Sequence, residues 1–235
     1  MQLFTSGGVE FLLRWVHFLA GITWIGLLYY FNFVQGPFFA EADASTKSAA
    51  TQKLVPRALW WFRWGAMVTF LSGLAIMIKR FSEAESGGEV AASPWGVTIQ
   101  TGALFGTLMF LNVWLVIWPK QKVVIANAVV TAKGGQADPR AAGAARRAFL
   151  TSRTNVVFSI PMLYFMGAAS HLPVLADRRG LYWAFVLAVA ALLEINALTG
   201  DKGATKRPIE SVPGVIVTGF VVWAAIYAMV ETVLT

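Results

Sequence analysis

Long apolar runs separated by polar segments dominate the sequence, and each run has the length of a membrane-spanning helix. About 20 apolar residues cross a hydrocarbon core of about 30 Å. The pattern predicts an all-α integral membrane protein, a bundle of about six transmembrane helices that forms a single membrane domain over residues 1–235. The predicted spans lie at about 9–33, 58–78, 95–118, 155–175, 181–198 and 212–234.

Helix-breaking and interfacial residues mark the ends of these runs. Gly36-Pro37 ends the first one, and tryptophans flank the second and third. The longest polar stretch, 119–154, is predicted to be a basic cytoplasmic loop. Within it, residues 122–132 favour a short interfacial helix, Lys133-Gly134-Gly135 favours a stop, and Asp138-Pro139 favours a second helix start.

Composition supports a membrane protein. The chain is 57% hydrophobic and only 13% charged, whereas a soluble domain carries about 25% charged residues. Its net charge of +7 comes from segments beside the apolar runs, which indicates anionic lipid headgroups rather than nucleic acid. The absence of cysteine excludes thiolate-ligated iron–sulfur clusters and covalent c-type haem. Met1 to Val9 lacks the features of a removable signal peptide.

The distribution of lysine and arginine predicts the orientation. Placing alternate connecting segments on one side collects most of the basic residues there, and the positive-inside rule assigns that side to the cytoplasm. Both termini are then expected in the periplasm, with the protein in a bacterial inner membrane. The predicted cytoplasmic residues are Lys47, Lys53, Arg57, Lys120, Lys122, Lys133, Arg140, Arg146, Arg147, Arg153, Lys202, Lys206 and Arg207, against Lys79, Arg80, Arg178 and Arg179 outside.

The chain has two histidines, and their settings are alike. His17 has Gly21 one helical turn away, and His171 has Gly167 one turn away. With alternating spans, His17 lies roughly 9 Å and His171 roughly 6 Å from the periplasmic face. Antiparallel helices therefore place both imidazoles at similar depth.

Two imidazoles at one depth, each beside a glycine, fit the axial ligation of one b-type haem. The flat ring must lie against the helix beside each ligand, where glycine offers space. Arg14, Gly21 and Trp24 share the helical face of His17. Arg14 lies near the polar boundary, where it could pair with a haem propionate, and Trp24 could pack beside the ring.

Less specific interpretations exist for each residue. Either histidine could simply meet water or a neighbouring helix, Gly21 could serve helix packing, and Arg14 could extend to the surface. Copper or zinc is disfavoured, because two imidazoles fill too few coordination positions. Met162 and Met166 are alternative axial ligands, although methionine usually fills cores.

Other polar residues lie within the predicted spans. Glu194 could relay protons, but an ion pair with Arg63 is favoured. Gly102 and Gly106 form a pair typical of helix packing. Asn32, Gln100 and Asn112 are candidates for hydrogen bonds between helices.

Three blocks of the sequence carry a resemblance to a known family. The first block is Arg14-Trp15-Val16-His17, Gly21-Ile22-Thr23-Trp24-Ile25-Gly26 and Tyr29-Tyr30-Phe31-Asn32. The second block is Trp118-Pro119-Lys120-Gln121-Lys122 with Ala126-Asn127-Ala128. The third block is Thr151-Ser152-Arg153-Thr154-Asn155, Ser159-Ile160-Pro161-Met162 and Ser170-His171-Leu172-Pro173. Together these blocks resemble the membrane domain of the cytochrome-c-linked bacterial urate oxidases. A weaker likeness, confined to the first helix, is to haem-containing membrane protoporphyrinogen oxidases.

The resemblance implies a redox protein of the inner membrane that passes electrons to cytochrome c. In that family a c-type cytochrome domain often follows the membrane domain. This chain ends at Thr235 without the Cys-x-x-Cys-His site of such a domain, so electrons are expected to leave to a separate periplasmic c-type cytochrome.

Three functions remain open at this stage. The first is a haem-b electron-transfer protein within a larger respiratory or oxidoreductase complex, with His17 and His171 as axial ligands. The second is an oxidase in its own right, acting on urate or a similar small reductant. The third is a membrane scaffold or assembly subunit without redox function. Further membrane subunits are compatible with each.

Overall fold

The computed structural model describes residues 2–172, 174 and 178–234, and within this part of the chain every regular element is helical. The all-α prediction is confirmed. A 3₁₀ turn (Gln2–Phe4) opens the chain, and π-helical segments Tyr30–Gln35, Asn112–Ile117 and Val230–Leu234 continue α1, α6 and α11. The helices are α1 Ser6–Tyr29, α2 Gly36–Glu41, α3 Ala44–Lys53, α4 Val55–Ser82, α5 Gly87–Ala92, α6 Pro94–Leu111, α7 Trp118–Ala132, α8 Ala141–His171, α9 Arg179–Leu198, α10 Arg207–Glu210 and α11 Val212–Met229.

Five continuous helical stretches in the described residues are long and apolar enough to cross a membrane. They correspond to five of the six predicted spans, although several extend further than the sequence pattern suggests. The remaining predicted span, 155–175, falls on α8, which is not among the five. The five stretches are Ser6–Glu41, Val55–Ser82, Pro94–Ala132, Arg179–Leu198 and Val212–Leu234.

Helix α8 lies at the centre of the bundle and contacts α6, α7, α9, α11 and, more sparsely, α1. Fifteen of its residues are buried, so it faces protein on most sides rather than lipid. A helix in this position can carry polar side chains if its neighbours satisfy them. This explains why its sequence is less apolar than those of the surrounding helices.

Two glycines allow close approach to α8. A Cβ atom on Gly102 of α6 would lie 3.0 Å from the Met166 backbone nitrogen, and one on Gly219 of α11 would collide with the Ile160 side chain. Gly219 faces the turn before Pro161, which has no N–H to donate to the Val157 carbonyl. Helices α6 and α11 therefore approach α8 closely on two sides.

Most of the predicted loop 119–154 is helical. Helix α7 continues the third span to Ala132, and α8 begins at Ala141, soon after Asp138-Pro139. The predicted stop at Lys133-Gly134-Gly135 is confirmed. Gly134 has a φ of +78°, and the amides of Gly134 and Gly135 donate to the carbonyls of Thr131 and Val130, the Schellman pattern that ends many helices.

Contacts between helix termini define the two ends of the bundle. Ser6 at the start of α1 donates to Glu83 just after α4, and Arg179 at the start of α9 donates to the Ala92 carbonyl just before α6. At the other end Arg147 of α8 donates to the Ala197 carbonyl near the end of α9. We call this second end, with α3, α7, the start of α8 and residues 199–211, the basic end.

Candidate functional site

His17 lies between α1 and α4 and is half-buried. Its Nδ1 is 3.1 Å from the Ser72 hydroxyl, and that hydroxyl donates its own proton to the Val68 carbonyl at 2.6 Å. Because the Ser72 proton is already committed, the Ser72 oxygen accepts from His17 Nδ1–H. His17 is therefore held in the tautomer whose Nε2 carries a free lone pair.

Glycines on α4 make room for α1. A Cβ atom on Gly73 would lie 3.0 Å from His17 Cε1, and one on Gly65 would lie 3.2 Å from the Trp24 backbone nitrogen. Gly21, predicted to sit beside the haem ring, faces α4, because a Cβ there would lie 3.8 Å from the Thr69 methyl group. These positions pack α1 closely against α4 along the face that carries His17.

Arg14 forms an ion pair with Glu10, one turn earlier on α1, with Nη2 2.7 Å from Oε1. Glu10 also pairs with Arg80 at 3.1 Å and lies 3.6 Å from the Lys79 ammonium. The carboxylate beside Arg14 is therefore a protein side chain. Trp24 is buried, and its Nε1 has no hydrogen-bond partner among the described residues.

His171 is the last residue of α8 and is exposed. Its neighbour Gly167 faces open space, with no other atom of the described chain within 4 Å of a Cβ placed there. Met162 and Met166 point to α6, where they contact Gly106 and Gly102. Pro173 and residues 175–177, which follow His171, lie outside the described residues.

A hydrogen bond between α1 and α8 gives a common reference point for the positions of the two histidines along their helices. Tyr29 Oη and Ser159 Oγ are 2.9 Å apart. His17 precedes Tyr29 by 12 residues and His171 follows Ser159 by 12 residues, so each lies about 18 Å from this contact along its helix. Counted from this contact, the two histidines lie the same number of turns along their helices; the His17 ring contacts α4, and the His171 ring is exposed.

A polar cluster lies inside the bundle, nearer the basic end. Asn112 Nδ2 donates to Asn155 Oδ1 at 2.9 Å and to Glu194 Oε2 at 3.0 Å. Asn155 Nδ2 donates in turn to the Met109 carbonyl at 3.1 Å. The cluster therefore joins α6, α8 and α9 through one amide group.

A second contact lies at a similar level of α8. Asn32 Nδ2 donates to Ser152 Oγ and to the Leu28 carbonyl, both at 2.8 Å. Asn32 and Asn112 each belong to a π-helical segment, a feature that is frequent at functional sites. The predicted hydrogen bonds between helices are confirmed for both asparagines. Gln100 donates to the Ala91 carbonyl of α5.

The predicted ion pair of Glu194 with Arg63 is wrong. The Arg63 guanidinium lies over the Trp118 ring, 4.0 Å from its centroid, while Glu194 accepts from Asn112. The sequence interpretation also missed Asn155 and Ser152 as partners of these groups. Their signal was the polar run Thr151–Asn155 at the start of an apolar span.

Residues 89–229 match the family described as urate oxidase N-terminal. The chain belongs to this family. The match confirms the resemblance drawn from the sequence, and it covers α6 through α11. Asn112, Asn155, Glu194 and His171 lie within the matched residues, whereas α1 with His17 lies before them. A search of the curated proteins and a search of the solved structures each found no significant match.

Proposed function

We propose that the protein is a membrane-embedded haem-b redox protein that passes electrons to a periplasmic c-type cytochrome, as part of a larger respiratory or oxidoreductase complex. In this proposal it lies in the inner membrane with the basic end in the cytoplasm and both termini in the periplasm. Membership of the urate oxidase N-terminal family and the five apolar helices are consistent with a membrane redox protein.

The observation that carries the proposal is the hydrogen bond from His17 to Ser72. Histidines that bind metals usually donate the second ring N–H to an oxygen acceptor, which fixes the tautomer and the ring orientation. Ser72 is such an acceptor, and Gly73 admits the imidazole against α4. This hydrogen bond supports His17 as an axial ligand through Nε2.

His171 is the second proposed ligand. It lies as many residues beyond the Tyr29–Ser159 contact as His17 lies before it, and it is exposed. Among the described residues no neighbouring side chain lies within 4 Å of a Cβ added at Gly167, which supports a flat ring beside the end of α8. Arg14 is the proposed partner of a propionate. Its side chain is 37% exposed beside Glu10, and a second anion can share its remaining donors. When bound, the haem supplies the one-electron chemistry, while the chain supplies ligands and a low-dielectric setting.

An optical difference spectrum tests the proposal. Membranes containing the full chain, reduced with dithionite and compared with oxidised membranes, should show the sharp α-band of a six-coordinate b-type haem. His17→Ala and His171→Ala should each abolish that band, while Glu194→Gln, far from both histidines along the helices, should retain it. A chain that binds no haem, or an unchanged spectrum for His171→Ala, would overturn the proposed ligation. Reduction of the band by urate would indicate an oxidase in its own right.

A further inference from the structure

A basic pocket lies at the basic end, where α9 ends and α11 begins. It is a separate feature from the histidines and from the polar cluster, and it has a volume of about 550 Å³. The lining residues are Arg146, Lys202, Gly203, Ala204, Arg207 and Glu210. Three cationic side chains therefore surround one carboxylate.

The cations of the pocket exceed its anions. Arg146 pairs with Glu210 and also donates to the Asp201 carbonyl. In the described part of the chain neither Lys202 nor Arg207 forms an ion pair. Two positive charges of the pocket are thus available to a ligand.

The residues behind the pocket add to its positive potential. The Lys206 side chain is buried and donates to the Asn196 side chain and the Thr199 carbonyl, at the end of α9. Burial lowers the pKa of Lys206, and the guanidinium groups of Arg147 and Arg146 lower it further. An anion in the pocket would offset this mutual repulsion among cations.

The pocket also lies where a membrane surface is expected. Leu198 ends one membrane-length helix and Val212 begins another, so the segment between them is level with headgroups. The adjoining turns expose apolar side chains, with Ile195 57% and Val217 61% exposed. Acyl chains can lie on these turns while a headgroup occupies the polar segment.

We propose that this pocket binds the phosphate headgroup of an anionic phospholipid. Lysine and arginine both bind phosphate through charge-assisted hydrogen bonds, and basic pockets beside transmembrane helices are suited to such headgroups. Free phosphate offers the same chemistry without acyl chains, and the exposed apolar turns favour the lipid.

Binding of defined lipids to the full chain in detergent tests this. Native mass spectrometry and thermal unfolding are measured with added phosphatidylglycerol, cardiolipin or phosphatidylcholine, and with inorganic phosphate at the same phosphate concentration. The anionic lipids should bind and raise the unfolding temperature, and phosphatidylcholine should do neither. Lys202→Gln with Arg207→Gln should weaken binding roughly 30-fold, about 2 kcal/mol.

Lys47→Gln with Lys53→Gln is the matched control, since it removes two exposed charges from α3 at the same end of the bundle. Circular dichroism and size-exclusion chromatography establish that both double variants are folded, and each single variant is measured beside them. An equal loss of lipid binding in the two double variants would show that anionic lipid is attracted to any positive charge at the basic end, and it would overturn the assignment of the binding site to the pocket. Stabilisation by inorganic phosphate equal to that by lipid would overturn the lipid assignment. Unchanged lipid binding by the Lys202→Gln/Arg207→Gln variant would overturn both the site assignment and the lipid assignment.

Discussion

His17 Nδ1 donates to Ser72 Oγ across 3.1 Å, and this contact ties the first helix to the middle of α4. Ser72 in turn donates to the Val68 carbonyl, so the imidazole is anchored to the backbone of α4 through one hydroxyl. With Nδ1 donating to Ser72, Nε2 is the ring nitrogen that carries the lone pair.

Gly73→Ala should displace His17. The new methyl group would lie 3.0 Å from Cε1 and 3.3 Å from Nδ1 of the ring, and overpacking of this kind costs about 1–3 kcal/mol. We expect a lower unfolding temperature and, if His17 binds haem, a smaller b-type band. Gly26→Ala is the control, because a Cβ added at Gly26 on α1 would have no neighbour from the rest of the described chain within 4 Å, so this variant should be neutral or slightly stabilising. Equal behaviour of the two variants would contradict the tight packing of His17 against α4.

Gly167→Leu separates haem binding from folding. Because no described neighbour crowds Gly167, the larger side chain should leave the haem-free chain as stable or up to about 1 kcal/mol more stable, since leucine favours a helix more than glycine does. A haem ring beside His171 would collide with it, so haem content should fall. Gly143→Leu is the matched control, since Gly143 lies on the same helix, also in open space, at the basic end. Haem content measured by pyridine haemochrome should fall in the first variant alone. Full haem content in the Gly167→Leu variant would contradict a position of the haem ring beside Gly167.

The two glycines of the small-residue pair on α6 should respond differently to alanine. At Gly102 a Cβ would lie 3.0 Å from the Met166 backbone nitrogen and 3.2 Å from the Met162 carbonyl, which cannot move without moving α8. At Gly106 its nearest neighbour would be a Met162 side-chain atom at 3.8 Å, an ordinary contact. Gly102→Ala should destabilise the bundle by about 1–3 kcal/mol, and Gly106→Ala should be neutral or stabilising. Denaturation in detergent measures both, and a larger loss for Gly106→Ala would contradict the observed packing.

Features set by neighbouring residues were predictable from the sequence. The apolar runs located the five helical stretches that are long and apolar enough to cross a membrane. Lys133-Gly134-Gly135 located the end of α7, because a glycine in the left-handed conformation ends a helix through hydrogen bonds within its last turn. The role of α8 was less visible. Its polar run Thr151–Asn155 marks a helix that faces other helices, and only the assembled bundle shows which ones.

Partners far apart in the chain could not be predicted in the same way. Ser72 is 55 residues from His17, and Glu194 is 82 residues from Asn112. Opposite charge suggested that Glu194 pairs with Arg63, but the Arg63 guanidinium lies over the Trp118 ring. A guanidinium can be stabilised by an aromatic ring as well as by a carboxylate. The sequence alone does not show whether the Trp118 ring or the Glu194 carboxylate lies nearer to Arg63.

Removal of the Asn112 amide should be costly. Asn112→Leu leaves the buried Asn155 Oδ1 and the half-buried Glu194 Oε2 without the donor they share, and a buried acceptor left unsatisfied costs about 1–3 kcal/mol. Glu194→Leu removes one of the stranded acceptors. The double variant Asn112→Leu/Glu194→Leu should therefore be less destabilised than the sum of the single variants, by about 0.5–3 kcal/mol. Additive losses in denaturation experiments would show that the two side chains do not interact.

Asp43 should make the start of α3 sensitive to acid. Hydrogen bonds from the Ser45 hydroxyl, and then from the Thr46 hydroxyl and amide, hold the pKa of Asp43 well below its usual range. A carboxyl whose pKa is lower in the folded state stabilises the fold above its unfolded pKa of about 3.9, and this contribution is lost as the pH falls from there through the folded pKa. Hydrogen exchange of the α3 amides, corrected for intrinsic rates, should therefore show protection that decreases between about pH 5 and pH 3. Asp43→Asn keeps a capping oxygen without a titrating charge, so its protection should be nearly constant over the same range. Protection that decreases equally in both chains would assign the acid sensitivity to other carboxylates.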